Sequence, residues 1–121
     1  MKHLSPLAAL LLLAAAPARA EGDPEAGKKI FGKCAACHAA EPGKNKIGPT
    51  LHGIVGRPSA NGDGFAYSDA MKAANKTWDE PTLLAYLTEP KVLVPGTKMV
   101  FPGLKEAKER DDVVAYLKTL R

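Results

Sequence analysis

An all-α fold is predicted for this 121-residue chain by three observations. Apolar residues recur at three- and four-residue spacing in its second half, and no stretch alternates polar and apolar side chains as a strand would. The eleven glycines and ten prolines divide the rest into short segments joined by long loops. With 45% hydrophobic and 25% charged residues the chain is a folded globule, not a disordered tail. One domain of about 100 residues cannot build a large apolar core, so something besides packing is expected to help hold it together.

The first element is not expected to belong to that domain. Lys2 gives a positive start, Leu7 to Ala16 an apolar run, and Ala18-Arg19-Ala20 a small-x-small cleavage site, so residues 1–20 read as a cleaved Sec-type signal peptide and residues 21–121 as the mature domain. The apolar run is well short of the roughly 20 residues that span a bilayer, and Pro17 breaks it. An uncleaved anchor is the alternative, and no stable membrane insertion is expected. Without Lys2 and Arg19, fifteen basic residues face thirteen acids, and the formal charge falls from +4 to +2. Nucleic-acid binding, which needs a dense basic stripe, is therefore not expected.

Within the mature chain, Asp23 to Cys37 reads as a short helix, with Asp23 as cap, Pro24 just inside, and Ala26, Ile30 and Phe31 on one side. From Glu41 to Asp63, turn pairs such as Pro42-Gly43, Gly48-Pro49 and Asn61-Gly62 predict a long loop, uncommon in a small domain unless it wraps something. Helices follow from Ser68 to Asn75 and from Glu80 to Glu89, the second capped by Asp79, with Leu83, Leu84 and Leu87 on one face and Pro90 as its stop. A loop spans Lys91 to Gly103. The last helix, Lys105 to Leu120, places Val113, Tyr116, Leu117 and Leu120 on one stripe.

The chemistry is concentrated in Cys34-Ala35-Ala36-Cys37-His38. Two cysteines two residues apart can form thioethers to the two vinyl groups on one edge of a porphyrin, while the adjacent imidazole reaches its iron, as the C-x-x-C-H attachment motif requires. Export fits, because such attachment takes place outside the cytoplasm. A Cys34–Cys37 disulfide is the first competing reading, but the thioredoxin-like strand and helix alternation is missing. Zinc is the second, and it needs a fourth ligand or an open water position, with His52 the only other histidine of the mature chain. Electron transfer asks for a sixth iron ligand, for which Met71, Met99 and His52 are the candidates. Context favours Met99, because Pro95 and Gly96 stiffen and turn the loop before it. Met71 sits at helical spacing, as a core gap-filler does, and His52 reads as a loop brace. Thioether opposite imidazole raises the potential relative to two imidazoles.

Over Gly27 to Leu117 the chain resembles the class I cytochromes c, in particular mitochondrial cytochrome c and bacterial cytochrome c2. The resemblance rests on Gly27-Lys28-Lys29-Ile30-Phe31, the C-x-x-C-H motif, Gly48-Pro49-Thr50-Leu51-His52-Gly53, Gly56-Arg57, Phe65-Ala66-Tyr67-Ser68, Trp78, Tyr86-Leu87, Pro95-Gly96-Thr97-Lys98-Met99 and Asp112-Val113-Val114-Ala115-Tyr116-Leu117. It implies a small class I cytochrome c fold of short helices and long loops around one covalently attached, low-spin haem c. Cys34 and Cys37 would be the attachment points, His38 and Met99 the axial ligands. It further implies that Gly27 and Phe31 cross the last helix near Val113 and Tyr116, and that Pro49 accepts a hydrogen bond from His38. Arg57, Tyr67 and Trp78 would surround a propionate, with Tyr86 near the Met99 sulfur and Thr97 in the same haem environment. Lys33, Lys91, Lys98 and Lys105 correspond to lysines that meet acidic partners. Two departures stand out: Asn45 occupies a position where a loop-bracing histidine is common, and Met71 one that is often asparagine.

The reading is therefore a monomeric, periplasmic one-electron carrier, not an enzyme. Its expected partners are a cytochrome bc1-type complex, a terminal oxidase, a reaction centre or a periplasmic dehydrogenase. The alternative is a pentacoordinate-haem enzyme or sensor, peroxidase-like or gas-binding, which requires that Met99 stay off the iron.

Overall fold

In the computed structural model, which describes residues 22–121, Asp23 opens the first helix by accepting the backbone N–H of Glu25 at 2.9 Å. Pro24 follows at the first position, where its missing N–H leaves nothing unpaired. Helix α1 runs Pro24–Ile30 and so ends earlier than the predicted Cys37. The chain then tightens into a 3₁₀ turn, Phe31–Lys33, and passes through further turns to His38. The Cys34 N–H bonds to the Phe31 carbonyl at 2.8 Å and the Cys37 N–H to the Cys34 carbonyl at 3.1 Å, both at three-residue spacing. Gly32, a poor helix former, sits where the α-helix gives way.

The remaining helices are α2, Asp69–Ala74; α3, Glu80–Thr88; α4, Pro90–Leu93; and α5, Ala107–Lys118. Ser68 caps α2 through the Met71 N–H at 3.1 Å, and Asn75 ends it in the left-handed conformation at φ 48°. Asp79 caps α3 through the Thr82 N–H at 2.9 Å. Pro90, predicted only as a stop, also begins α4 inside the expected loop. The residue before a proline is driven to extended backbone, as Glu89 is at φ −159° and ψ 95°, while the proline is preset for a first helical turn.

Helices α1 and α5 cross where Gly27 meets α5. A Cβ on Gly27 would lie 1.9 Å from the Asp112 carbonyl oxygen and 2.9 Å from the Tyr116 Cβ, so only hydrogen fits. Above the crossing Phe31 and Tyr116 pack edge to face with ring centroids 5.3 Å apart. Below it, the buried carboxylate of Asp112 accepts the Asp23 N–H at 2.8 Å and the Lys108 ammonium at 2.6 Å.

The core comprises Phe31, Ile54, Trp78, Leu83, Tyr86, Val94, Leu104, Val113, Val114 and Leu117. On α3 the fully buried pair is Leu83 and Tyr86, while Leu84 and Leu87 are only partly buried, so the buried face is turned from the predicted one. The described residues contain a single isolated bridge, Pro58 with Thr77, and no longer strand. None of their helices is long and apolar enough to cross a membrane. The expected leader, residues 1–20, lies outside the described residues.

Candidate functional site

His38 follows the turns that carry both cysteines, its N–H bonded to the Cys34 carbonyl at 2.9 Å. Its Nδ1 lies 2.7 Å from the Pro49 carbonyl oxygen. A carbonyl only accepts, so Nδ1 carries the proton and Nε2 is left with its lone pair. Gly48 makes this approach possible: a Cβ there would stand 2.3 Å from Cε1 and 2.7 Å from Nδ1 of the ring. The Gly48 N–H in turn bonds to the Cys37 carbonyl at 2.8 Å, and Lys46 donates to the Ala35 carbonyl at 2.6 Å. The loop is thus stitched to the cysteine turns at Ala35 and Cys37 as well as at His38 itself. Sequence reading took Gly48-Pro49 as turn chemistry and missed the steric role of Gly48 and the tie from Lys46.

Cys34 and Cys37 are free thiols, both partly buried. Burial pushes the Cys34 thiol above its ordinary value, with Cys37 adding to the rise and Lys33 opposing it. Among the described residues no three His, Cys, Asp or Glu side chains converge to hold a metal ion.

The Met99 sulfur accepts from the Tyr86 hydroxyl at 3.7 Å, and the Met99 N–H bonds to the Thr97 hydroxyl at 3.2 Å. Burial raises the Tyr86 phenol, with a hydrogen bond to Thr97 acting the other way. Tyr86 also packs on Trp78 with centroids 4.9 Å apart. The Trp78 backbone exchanges bonds with the 56–57 turn, donating to Arg57 at 2.9 Å and accepting from Gly56 at 2.8 Å. Arg57, Trp78, Tyr86, Thr97 and Met99 therefore form one connected group. Tyr67 stands beside it, packed on Phe65 and accepting the Gly62 N–H at 2.8 Å.

Arg57 has an unmet requirement. Its Nη1 donates to the His52 carbonyl at 3.3 Å, but Nε and Nη2 are buried without a partner. Two adjacent guanidinium donors facing no acceptor suit a planar carboxylate, such as a porphyrin propionate. Together with the free thiols and the Nε2 lone pair, this donor set fits haem c.

The other candidates take structural positions. His52 Nδ1 lies 3.2 Å from the Ala40 carbonyl and braces the loop, as expected. Met71 is partly buried against the core. Asn45 also braces the loop, donating to the Asp63 carbonyl at 3.0 Å and accepting the Thr50 N–H at 3.1 Å, so the departure from histidine does not leave it loose. Of the lysines, Lys33 pairs with Glu109 at 3.5 Å and Lys105 donates to the Pro102 carbonyl at 3.3 Å. Lys91 and Lys98 are exposed, without a partner among the described residues.

Short helices around a C-x-x-C-H turn, with imidazole and thioether each held by a hydrogen bond, define a c-type electron-transfer protein. The chain belongs to the cytochrome c family, whose sequence profile matches residues 24–121. It is 55% identical over 97 residues to cytochrome c2 of Rhodoblastus acidophilus, covering 79% of this chain and 91% of that protein. It is 50% identical over 99 residues to cytochrome c of Ginkgo biloba, covering 80% and 88%. The solved structure of cytochrome cH from Methylobacterium extorquens is similar at a TM-score of 0.77 and 52% identity, covering 81% of this chain and 99% of that one. Proteins of this family transfer electrons, are not enzymes, and bind one covalent haem c. The class I cytochrome c fold expected from sequence is the one observed.

Proposed function

We propose that the mature protein is a periplasmic one-electron carrier whose haem c is held by Cys34 and Cys37 and ligated by His38 and Met99. Haem c supplies a one-electron iron couple. The residues do the rest. Cys34 and Cys37 supply the thioether sulfurs, and His38 offers Nε2 because Pro49 occupies its Nδ1 proton. Tyr86 and Thr97 hold the Met99 segment, and Tyr86 draws electron density from the sulfur, which favours the reduced state. Arg57 offers Nε and Nη2 to a carboxylate of the bound group. His38 and Met99 together would hold the iron from two sides and close it to substrate, which would leave outer-sphere transfer of one electron.

The observation that carries this reading is the pair of hydrogen bonds, His38 to Pro49 and Tyr86 to Met99, since each holds one candidate iron ligand in place. The leader expected at 1–20 and the bacterial cytochrome c2 relatives support a periplasmic site. The same relatives support a cytochrome bc1-type complex or a reaction centre as partners; a terminal oxidase or periplasmic dehydrogenase would accept the same monomeric carrier. The test is the visible spectrum of the oxidised holoprotein. Wild type shows the weak long-wavelength band of iron–thioether ligation and does not bind carbon monoxide when reduced. Met99→Ala loses the band and binds it. A wild type without the band that binds carbon monoxide rapidly refutes histidine–methionine ligation.

A further inference from the structure

The peptide group between Pro49 and Thr50 is bonded at both of its ends. Its carbonyl oxygen lies 2.7 Å from His38 Nδ1, which carries the proton. Its N–H, that of Thr50, donates to the Asn45 side-chain oxygen at 3.1 Å. The Asn45 amide is used at both ends as well, since its Nδ2 donates to the Asp63 carbonyl at 3.0 Å. Those two partners fix which way the amide points, because a backbone N–H only donates and a carbonyl only accepts. The Asp63 carbonyl, the Asn45 amide, the Pro49–Thr50 peptide and the His38 ring therefore form one unbroken line of acceptors and donors, running from the turn at Asp63 to the imidazole.

The loop has other ties that hold it without Asn45. The Thr50 hydroxyl bonds to the Glu41 and Ala39 carbonyls, the Leu51 N–H to the Ala39 carbonyl at 3.0 Å, and the Gly48 N–H to the Cys37 carbonyl at 2.8 Å. What Asn45 adds is an acceptor at the far end of the very peptide whose near end meets His38. Amide groups linked in this way polarise one another, strengthening each bond by roughly 10–30%. An acceptor on the Thr50 N–H shifts electron density onto the Pro49 oxygen, which then draws harder on the Nδ1 proton and leaves more density at Nε2. We propose that Asn45 is a positioning residue that acts through the Pro49–Thr50 peptide: it strengthens the His38–Pro49 hydrogen bond, makes Nε2 the stronger ligand and lowers the midpoint potential by favouring the oxidised iron. This rests on the carrier reading above, in which Nε2 is the atom offered to the iron. Its direction is opposite to that of Tyr86, whose bond to the Met99 sulfur favours the reduced state.

The experiment compares wild-type mature holoprotein with Asn45→Leu, Asn45→Ala and His52→Ala. Leucine keeps the outline of asparagine and removes both of its bonds. His52→Ala removes a different brace of the same loop, the bond to the Ala40 carbonyl at 3.2 Å, and leaves the line to His38 intact. Proton NMR of the reduced protein follows the His38 Nδ1 proton, and a spectroelectrochemical titration gives the potential. In Asn45→Leu and Asn45→Ala the Nδ1 proton resonance moves upfield, as a weaker hydrogen bond requires. The ratio of reduced to oxidised protein at a fixed applied potential rises about threefold, which is about 28 mV at about 59 mV per tenfold. His52→Ala lowers the thermal midpoint and moves neither readout. An unmoved or downfield resonance in the Asn45 variants overturns the proposal, and so does an unchanged or lower potential. Equal shifts in His52→Ala overturn it as well, because loosening of the loop is then the cause. If neither Asn45 variant folds, Asn45 is a structural brace and the proposal falls. Failure of the carrier reading is separate, since wild type would then show no reversible one-electron titration.

Discussion

Replacing Gly27 with alanine should cost about 3–5 kcal/mol of folding stability, and the value follows from the helix crossing. The new Cβ would sit 1.9 Å from the Asp112 carbonyl oxygen, where ordinary contact begins at 3.4 Å, so α1 and α5 must part by roughly 1.5 Å. A gap of that size forfeits about half or more of the dispersion attraction across the crossing, including the Phe31–Tyr116 packing at 5.3 Å. It also stretches the bond from the Asp23 N–H to the Asp112 carboxylate beyond its 2.8 Å, and a hydrogen bond to a charged group is worth about 1.5–3 kcal/mol. Against a usual total of about 5–15 kcal/mol, the loss is a large share. Guanidinium unfolding of the holoprotein followed by far-UV circular dichroism should show a lower midpoint with unchanged slope. Gly32→Ala is the control, since its Cβ meets nothing within 4 Å and alanine improves helix propensity. A Gly27→Ala loss below about 1 kcal/mol, or a Gly32→Ala loss as large, would refute the steric reasoning.

Gly48→Ala should break the His38–Pro49 hydrogen bond, because its Cβ would overlap the imidazole; the His38 Nδ1 proton should then exchange rapidly by NMR, and slow exchange as in wild type would contradict this. The Lys108 ammonium, and then the Asp23 N–H, hold the Asp112 carboxyl below its usual range. Its stabilising contribution is therefore present above the ordinary carboxylate pKa and lost as pH falls through the depressed value. Asp112→Asn should be less stable than wild type at neutral pH, with the two denaturation curves converging in acid. Burial raises the Tyr86 phenol, so its contribution is complete below the ordinary tyrosine pKa and is lost as pH rises through the raised one. Tyr86→Phe should flatten that alkaline decline in thermal melts. It should also lower the midpoint potential by removing the donor to the Met99 sulfur, and an unchanged or higher potential would count against that bond.

Much of the site could be read before any coordinates, because its chemistry is local. Cys34, Cys37 and His38 are consecutive enough for one turn to present all three, and Pro95-Gly96 marks Met99 within a few residues. Two caps were equally legible, since Asp23 and Asp79 each bond to a backbone N–H two or three residues on; Ser68, read as the first residue of its helix, proved to be a third. Helix ends were not. The extension of α1 to Cys37 failed because periodicity cannot tell an α-turn from the tighter turns that follow Ile30. The hidden start of α4 was lost because proline signals both a stop and a beginning.

What the order of residues determined for this protein is its local logic: two thiols and an imidazole in one turn, and helices started by capping side chains. Only the tertiary structure decided which groups from distant segments meet. It set Asp112 against the Asp23 N–H and Gly48 under the His38 ring, and it left two Arg57 nitrogens unpartnered. Composition is silent on such pairings because each depends on how the helices cross and how the loop closes. At Gly27 that crossing depends on a single missing carbon.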